Sequence, residues 1–175
     1  MELDELNKLP ADEAESLFLD CCGSRAWARA MVEARPFEDV GGLLLTAERI
    51  WKELNAGDWL EAFAAHPKIG AKKAAPAQAE RSAEWSKGEQ AGMDATSDTV
   101  REDLAEVNRL YEDKFGHIYI VCATEKSAGE MLDICRQRLG NTAQTELSIA
   151  AKEQRKITEI RLRKLLNGEG ETKKK

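Results

Sequence analysis

Residues 97–116 read SDTVREDLAEVNRLYEDKFG, and this stretch decides the fold class. Val100, Leu104, Val107, Tyr111 and Phe115 step by three or four, which lines one face of a 3.6-residue helix. Ser97 stands where an N-cap hydroxyl accepts an orphan amide, and Gly116 stands where a helix stops. The spacing predicts one long amphipathic helix. Beyond it, Ile118 to Ala123 is a short apolar extended run. Ser127-x-x-Glu130 is a capping box for the next helix, which ends at Leu139-Gly140. The last helix runs from about Thr142 to Leu166, with Gly168 past its end.

Toward the N-terminus, helix punctuation stays frequent and β-branched runs are nearly missing. Pro10 with Asp12 and Glu13 opens a helix through about Cys22, since acidic residues favour the first turn. Ser24 caps a second, carrying Trp27, Met31 and Val32 and stopping before Pro36. Leu43 to Leu54 is a third, closed by Asn55-Ala56-Gly57. Asp58 caps a short piece, Trp59 to Ala65, that ends at His66-Pro67. Residues 67–78 read as a loop broken by Gly70 and Pro76, and a helix over Ala79 to Ala91 follows. No internal repeat or interdomain linker interrupts the pattern. The expectation is an all-α domain over residues 1–168 with one short extended segment, and a disordered charged tail over 169–175.

The chain's 175 residues suffice for one core without staples. A hydrophobic share of 42% against 33% charged residues excludes a disordered chain. A net charge of -6 gives no whole-chain attraction to nucleic acid, and Lys173 to Lys175 read as a frayed tip. No run approaches the 18 apolar residues or so of a membrane span. Cys21, Cys22, Cys122 and Cys135 include no C-x-x-C pair, so neither a zinc ribbon nor a disulfide framework is indicated. They fit a reducing compartment, and cytoplasmic is the expected location.

Chemistry has few places to sit. Of the two histidines, His66 lies at a helix end directly before proline. A ring there either projects into a cleft, able to titrate near neutrality, or is an ordinary turn histidine. On the last helix, advancing about 100° per residue lines Ala150, Ala151, Gln154, Ile157, Thr158 and Leu165 along one stripe. Arg161 falls near its centre, and Lys152, Lys156, Glu159 and Arg163 lie opposite. A guanidinium facing the core requires an anionic or carbonyl partner, either an internal carboxylate or a bound substrate. Gln154 is a second polar group pointing inward. Ser86 and Glu89 share a helix face, or else form a capping box of their own. Gly88 beside them costs roughly 1 kcal/mol relative to alanine in a helix, a cost that close backbone approach would explain.

In this order, these elements resemble the OHCU (2-oxo-4-hydroxy-4-carboxy-5-ureidoimidazoline) decarboxylase family. The residues that carry the resemblance are Ala65-His66-Pro67-Lys68-Ile69-Gly70 and Ser86-x-x-Glu89-Gln90-Ala91-Gly92. Tyr111-x-x-Lys114-Phe115-Gly116, Ile120-Val121-Cys122-Ala123 and Arg138-Leu139-x-Asn141 follow, and Glu146, Ala150, Gln154, Lys156-Ile157 and Arg161-Leu162 close it. It implies about eight helices, a homodimer, a small-molecule ureidoimidazoline substrate, and no metal or organic cofactor. His66 and Glu89 become the catalytic pair. Pro67, Ser86, Gln90 and Arg161 become substrate contacts, and backbone groups of Ile120, Val121, Cys122 and Ala123 hold the ring. His117-Ile118 depart from the aromatic and proline common in the family, and His117 reads as a turn residue rather than a catalyst.

The resemblance implies loss of carbon dioxide from a hydroxyl-bearing carbon and proton return to one face, giving S-allantoin in urate degradation. His66 and Glu89 are expected to form a hydrogen-bonded pair, with Arg161 on a ring carbonyl or ureido oxygen. Two other readings compete: a non-catalytic helical interaction module on the same scaffold, and another cofactor-free lyase or hydrolase acting on a related ureide. Binding of allantoin or a close analogue separates the module from the enzymes.

Overall fold

A computed structural model describes residues 1–70, 80–94 and 96–167. These residues form α1 (Leu3–Lys8), α2 (Ala11–Cys22), α3 (Arg25–Glu33), α4 (Val40–Glu53) and α5 (Ala56–Ala64). Then come α6 (Glu80–Glu89), a 3-10 turn (Ala91–Met93), α7 (Asp98–Phe115), α8 (Ala128–Arg138) and α9 (Ala143–Asn167), and among the described residues there is no strand. The all-α expectation holds. The loop expected over 67–78 lies outside the described residues beyond Gly70, as do Ala79, Gly168 and the tail expected over 169–175.

Local chemistry explains where the helix boundaries differ from the sequence reading. The sequence pattern does not predict the short α1, which is too brief to show a period. It is held by the Glu5 carboxylate, which accepts the Glu2 amide at 2.9 Å, and by Leu6, which is fully buried. Helix α4 begins at Val40, before Leu43, because Asp39 accepts the Gly42 amide at 2.7 Å. Asn55, expected to close α4, instead caps α5 by accepting the Asp58 amide at 3.1 Å. Asp58 is the third residue of that capping box, not its cap. Asn, Ala and Gly suit a terminator and a first turn equally well, so composition alone does not decide between them.

Two apolar clusters form the interior. The larger joins α2, α3, α4, α5 and α9 through Phe18, Trp27, Leu43, Trp51, Phe63 and Leu162. The smaller joins α7 and α8 through Leu104, Tyr111, Met131 and Cys135. The 118–123 run passes between them, with Ile120 and Cys122 in the first cluster and Tyr119, Val121 and Ala123 in the second. That alternation is the period of two expected of extended chain. Among the described residues no helix is long and apolar enough to cross a membrane.

Candidate active site

Helix α9 supplies the back wall. Its predicted stripe is the buried face: Ala150, Ala151, Gln154, Ile157, Thr158, Arg161 and Leu165 all turn inward. Across from it, α6 buries Ser82, Trp85 and Ser86. Ser86 therefore sits inside the helix, on the same face as Glu89, and is not the N-cap that its spacing also allowed. Helix α5 ends just before His66, whose amide donates to the Phe63 carbonyl at 3.1 Å. This turn directs the ring toward α9.

His66, Pro67, Ser86, Glu89, Gln90, Ile120, Val121 and Ala123 line one cleft, together with Ile69, Tyr119, Thr124 and Ile157. Its free interior is about 20 Å³, room for about one water, so a ring-sized ligand requires the lining to open. Cys122 does not line it. The Cys122 amide donates to Glu153 at 2.8 Å, and its carbonyl accepts from Lys126 at 2.8 Å. The Ile120 carbonyl accepts from Arg138 at 2.7 Å. Residues 120 and 122 are thus held from outside, and the amides of Val121 and Ala123 have no hydrogen-bond partner among the described residues. Of the expected set, Ile120, Val121 and Ala123 line the cleft and Cys122 does not.

His66 and Glu89 share the cleft, but they do not bond to each other. His66 Nε2 lies 2.7 Å from Gln154 Oε1. Burial pushes the imidazole down to about 3, the Arg161 charge adds to that, and the Gln154 contact opposes it. The ring is therefore neutral at neutral pH. Glu89 instead receives Arg161 on both oxygens, Nε at 3.0 Å and a terminal nitrogen at 2.9 Å. Arg161 also donates to the Asp20 carbonyl at 3.3 Å, Ser82 at 3.0 Å and Ser86 at 2.9 Å. Guanidinium has five N–H donors, and all five are committed. Of the two partners that its place on the stripe allowed, this structure shows the internal carboxylate.

Periodicity places Gln154 on the inward face but gives it no partner, since its contact to His66 spans 88 positions. Gly92 proves to be the site of close approach expected at Gly88: a Cβ there would meet the Lys126 carbonyl oxygen at 2.1 Å, whereas Gly88 faces open space. His117 lies in the bend after α7, its Nδ1 3.0 Å from the Ile118 carbonyl, as a turn residue should.

Fold and cleft together define an all-helical protein with a histidine–carboxylate pocket built between its last helix and α6. The chain belongs to the OHCU decarboxylase family, whose model matches residues 7–163. It is 42% identical over 149 residues to the uric acid degradation bifunctional protein TTL of Arabidopsis thaliana, covering 84% of this chain and 45% of that one. The chain thus spans less than half the length of that relative. It is 23% identical to the 2-oxo-4-hydroxy-4-carboxy-5-ureidoimidazoline decarboxylase of Haloferax volcanii, over 97% of this chain and 98% of the other. A crystal structure of OHCU decarboxylase in the presence of (S)-allantoin superposes with a TM-score of 0.74 at 39% identity, covering 85% of this chain and 96% of that one.

Proposed function

We propose that the protein decarboxylates 2-oxo-4-hydroxy-4-carboxy-5-ureidoimidazoline to S-allantoin in urate degradation, without a cofactor, using His66 as the general acid–base group. The observation that carries this reading is a neutral, buried imidazole in the wall of a cleft that also presents Glu89, Ser86 and the Val121–Ala123 edge. In the reaction the bond from the ring carbon to the carboxylate breaks and carbon dioxide leaves. The electron pair enters the ring's own unsaturation, and the hydroxyl gives up its proton as its carbon becomes a carbonyl. One proton is taken up at the neighbouring carbon, and a second, drawn from solvent, is taken up at the ring nitrogen that received the pair. Atoms balance with no outside oxidant or reductant.

A neutral imidazole can take the hydroxyl proton, and the substrate's negative charge beside it would raise the ring's proton affinity in the complex. Glu89, fixed by Arg161, stands across the cleft to share that proton. Arg161 stabilises charge through Glu89 and the serines, and it reaches a substrate oxygen only by exchanging one of them. Amides of Val121 and Ala123 orient the ring so that protonation is one-sided. The cytoplasm and a homodimer belong to the same reading. Four buried free thiols support a reducing compartment, and analytical ultracentrifugation giving a monomer would remove the dimer.

The test is to generate the intermediate fresh from urate, with urate oxidase and hydroxyisourate hydrolase, and to follow circular dichroism. A rapid rise of the S-allantoin signal, lost in His66→Ala, is expected. A trace identical to unaided decay would remove the assignment.

A further inference from the structure

His66 offers two ring nitrogens, and the reaction uses whichever one holds a lone pair toward the cleft. Which nitrogen that is follows from a chain of hydrogen bonds that begins at the backbone. The Thr158 hydroxyl donates to the Gln154 carbonyl one helical turn earlier, at 3.0 Å. With its proton placed there, its oxygen accepts, and Gln154 Nε2 lies 3.2 Å from it. The same Nε2 lies 3.5 Å from the carbonyl oxygen of Cys22, which can only accept. The opposite amide orientation would set two carbonyl oxygens face to face and cost Thr158 its bond. Gln154 Oε1 is therefore the atom turned toward His66, and a carbonyl oxygen at 2.7 Å demands a donor.

We infer that Thr158 and Gln154 lock His66 in its Nε2–H tautomer, making Nδ1 the nitrogen that exchanges the substrate's proton and making Gln154 a positioning residue for the reaction. Nδ1 has no hydrogen-bond partner among the described residues. The lock needs no carboxylate behind the ring. A carboxylate would favour imidazolium, whereas a neutral amide orients the ring and leaves it neutral. This matters where Arg161 and burial already oppose a charge on the ring. Its three members lie on α9 and at the end of α5, both packed into the larger core, so the geometry rests on rigid elements.

The inference rests on His66 being the acid–base group, and the experiment separates the two claims. Nitrogen-15 NMR of the labelled full chain resolves the two histidines, with the His66→Ala spectrum assigning the ring of interest. In the wild type at neutral pH, His66 should show a protonated Nε2 and a bare Nδ1. Gln154→Leu and the near-isosteric Thr158→Val should lose that single form, and Thr158→Ser, which keeps the hydroxyl, should retain it. Gln154→Leu should also lower kcat on the order of 10²-fold, within the range general acid–base groups contribute, with little change in KM. A wild-type ring protonated on Nδ1, or on both nitrogens, overturns the lock, as does an unchanged tautomer in both Gln154→Leu and Thr158→Val. Full activity in His66→Ala would instead overturn the catalytic assignment, whatever the spectra show.

Discussion

Arg161 and Glu89, 72 positions apart, meet as a two-pronged ion pair with only 2% and 8% of their side chains exposed. A pair this deep contributes little net stability as a pair, but either partner left alone is costly. Arg161→Met leaves the buried Glu89 carboxylate with only the part-exposed Lys164, 3.7 Å away, and should lower unfolding stability by up to about 3–5 kcal/mol. Arg161→Lys should rescue little, because one ammonium cannot reproduce a five-donor fork. The double variant Arg161→Met with Glu89→Leu should recover much of the loss while staying inactive. Urea unfolding of the set measures this, and losses that simply add would show that the two residues do not act as a unit.

The inward turn of Arg161 and Gln154 was legible in the sequence, because a 3.6-residue period over a long helix assigns faces without any knowledge of partners. Their partners were not legible. Periodicity carries no information across 72 or 88 positions, so the Glu89 and Gln154 contacts emerge only when α5, α6 and α9 close on one another. The same limit explains why His66 and Glu89, which line one cleft, do not make the bond to each other that the sequence suggests. Short-range ambiguity accounts for the rest. Ser-x-x-Glu serves a cap or a helix face, and only the burial of Ser86 within α6 decides for the face.

A buried neutral histidine makes stability depend on pH in one direction. Burial, with Arg161 adding, lowers His66 from 6.5 unfolded to about 3 folded. Between those values the unfolded chain binds a proton on this ring that the folded chain does not. The group's contribution is complete above pH 6.5 and is lost as pH falls toward 3, with a slope approaching about 1.4 kcal/mol per pH unit. His66→Gln removes the term, so wild type should lose stability relative to the variant as pH drops from about 7 to about 5. A constant difference would mean that the ring titrates normally. For the same reason kcat/KM, which reports the free enzyme, should show no His66 inflection near 6.5.

The cleft edge is held from its far side, which makes Glu153 a lever on substrate binding. Its carboxylate accepts the Cys122 amide at 2.8 Å, and Lys156 and that amide hold it below the usual glutamate range despite burial. On the other flank Arg138 grips the Ile120 carbonyl, braced by Glu146, which also accepts from Tyr111 at 2.5 Å and from Asn141 at 2.9 Å. Removing a charged acceptor from a backbone amide costs about 1.5–3 kcal/mol. Glu153→Ala should lose stability of that order and raise KM several-fold with a smaller change in kcat, while Glu153→Gln keeps most of both. A KM that stays at the wild-type value while stability falls would show that the Val121–Ala123 edge does not read the substrate.

Gly88 and Gly92, one turn apart in chain, should respond to alanine with opposite signs. A Cβ at Gly88 meets nothing within 4 Å, and the residue lies inside α6, where glycine is the poorer helix former. Gly88→Ala should therefore stabilise by about 0.5–1 kcal/mol. At Gly92 the added carbon would stand 2.1 Å from the Lys126 carbonyl oxygen and 3.2 Å from its carbon. These are backbone atoms, so the clash is relieved only by moving the turn before α8, at a cost of about 1–3 kcal/mol. Lys126 also donates to the Cys122 carbonyl at 2.8 Å, so that movement reaches the extended run beside the cleft. Gly92→Ala should thus lose activity as well as stability, and Gly88→Ala should gain stability. Thermal melts of the two variants beside wild type decide it: the melting temperature should rise for Gly88→Ala and fall for Gly92→Ala, and a shift in the same direction for both would mean that the Gly92–Lys126 approach does not constrain the fold.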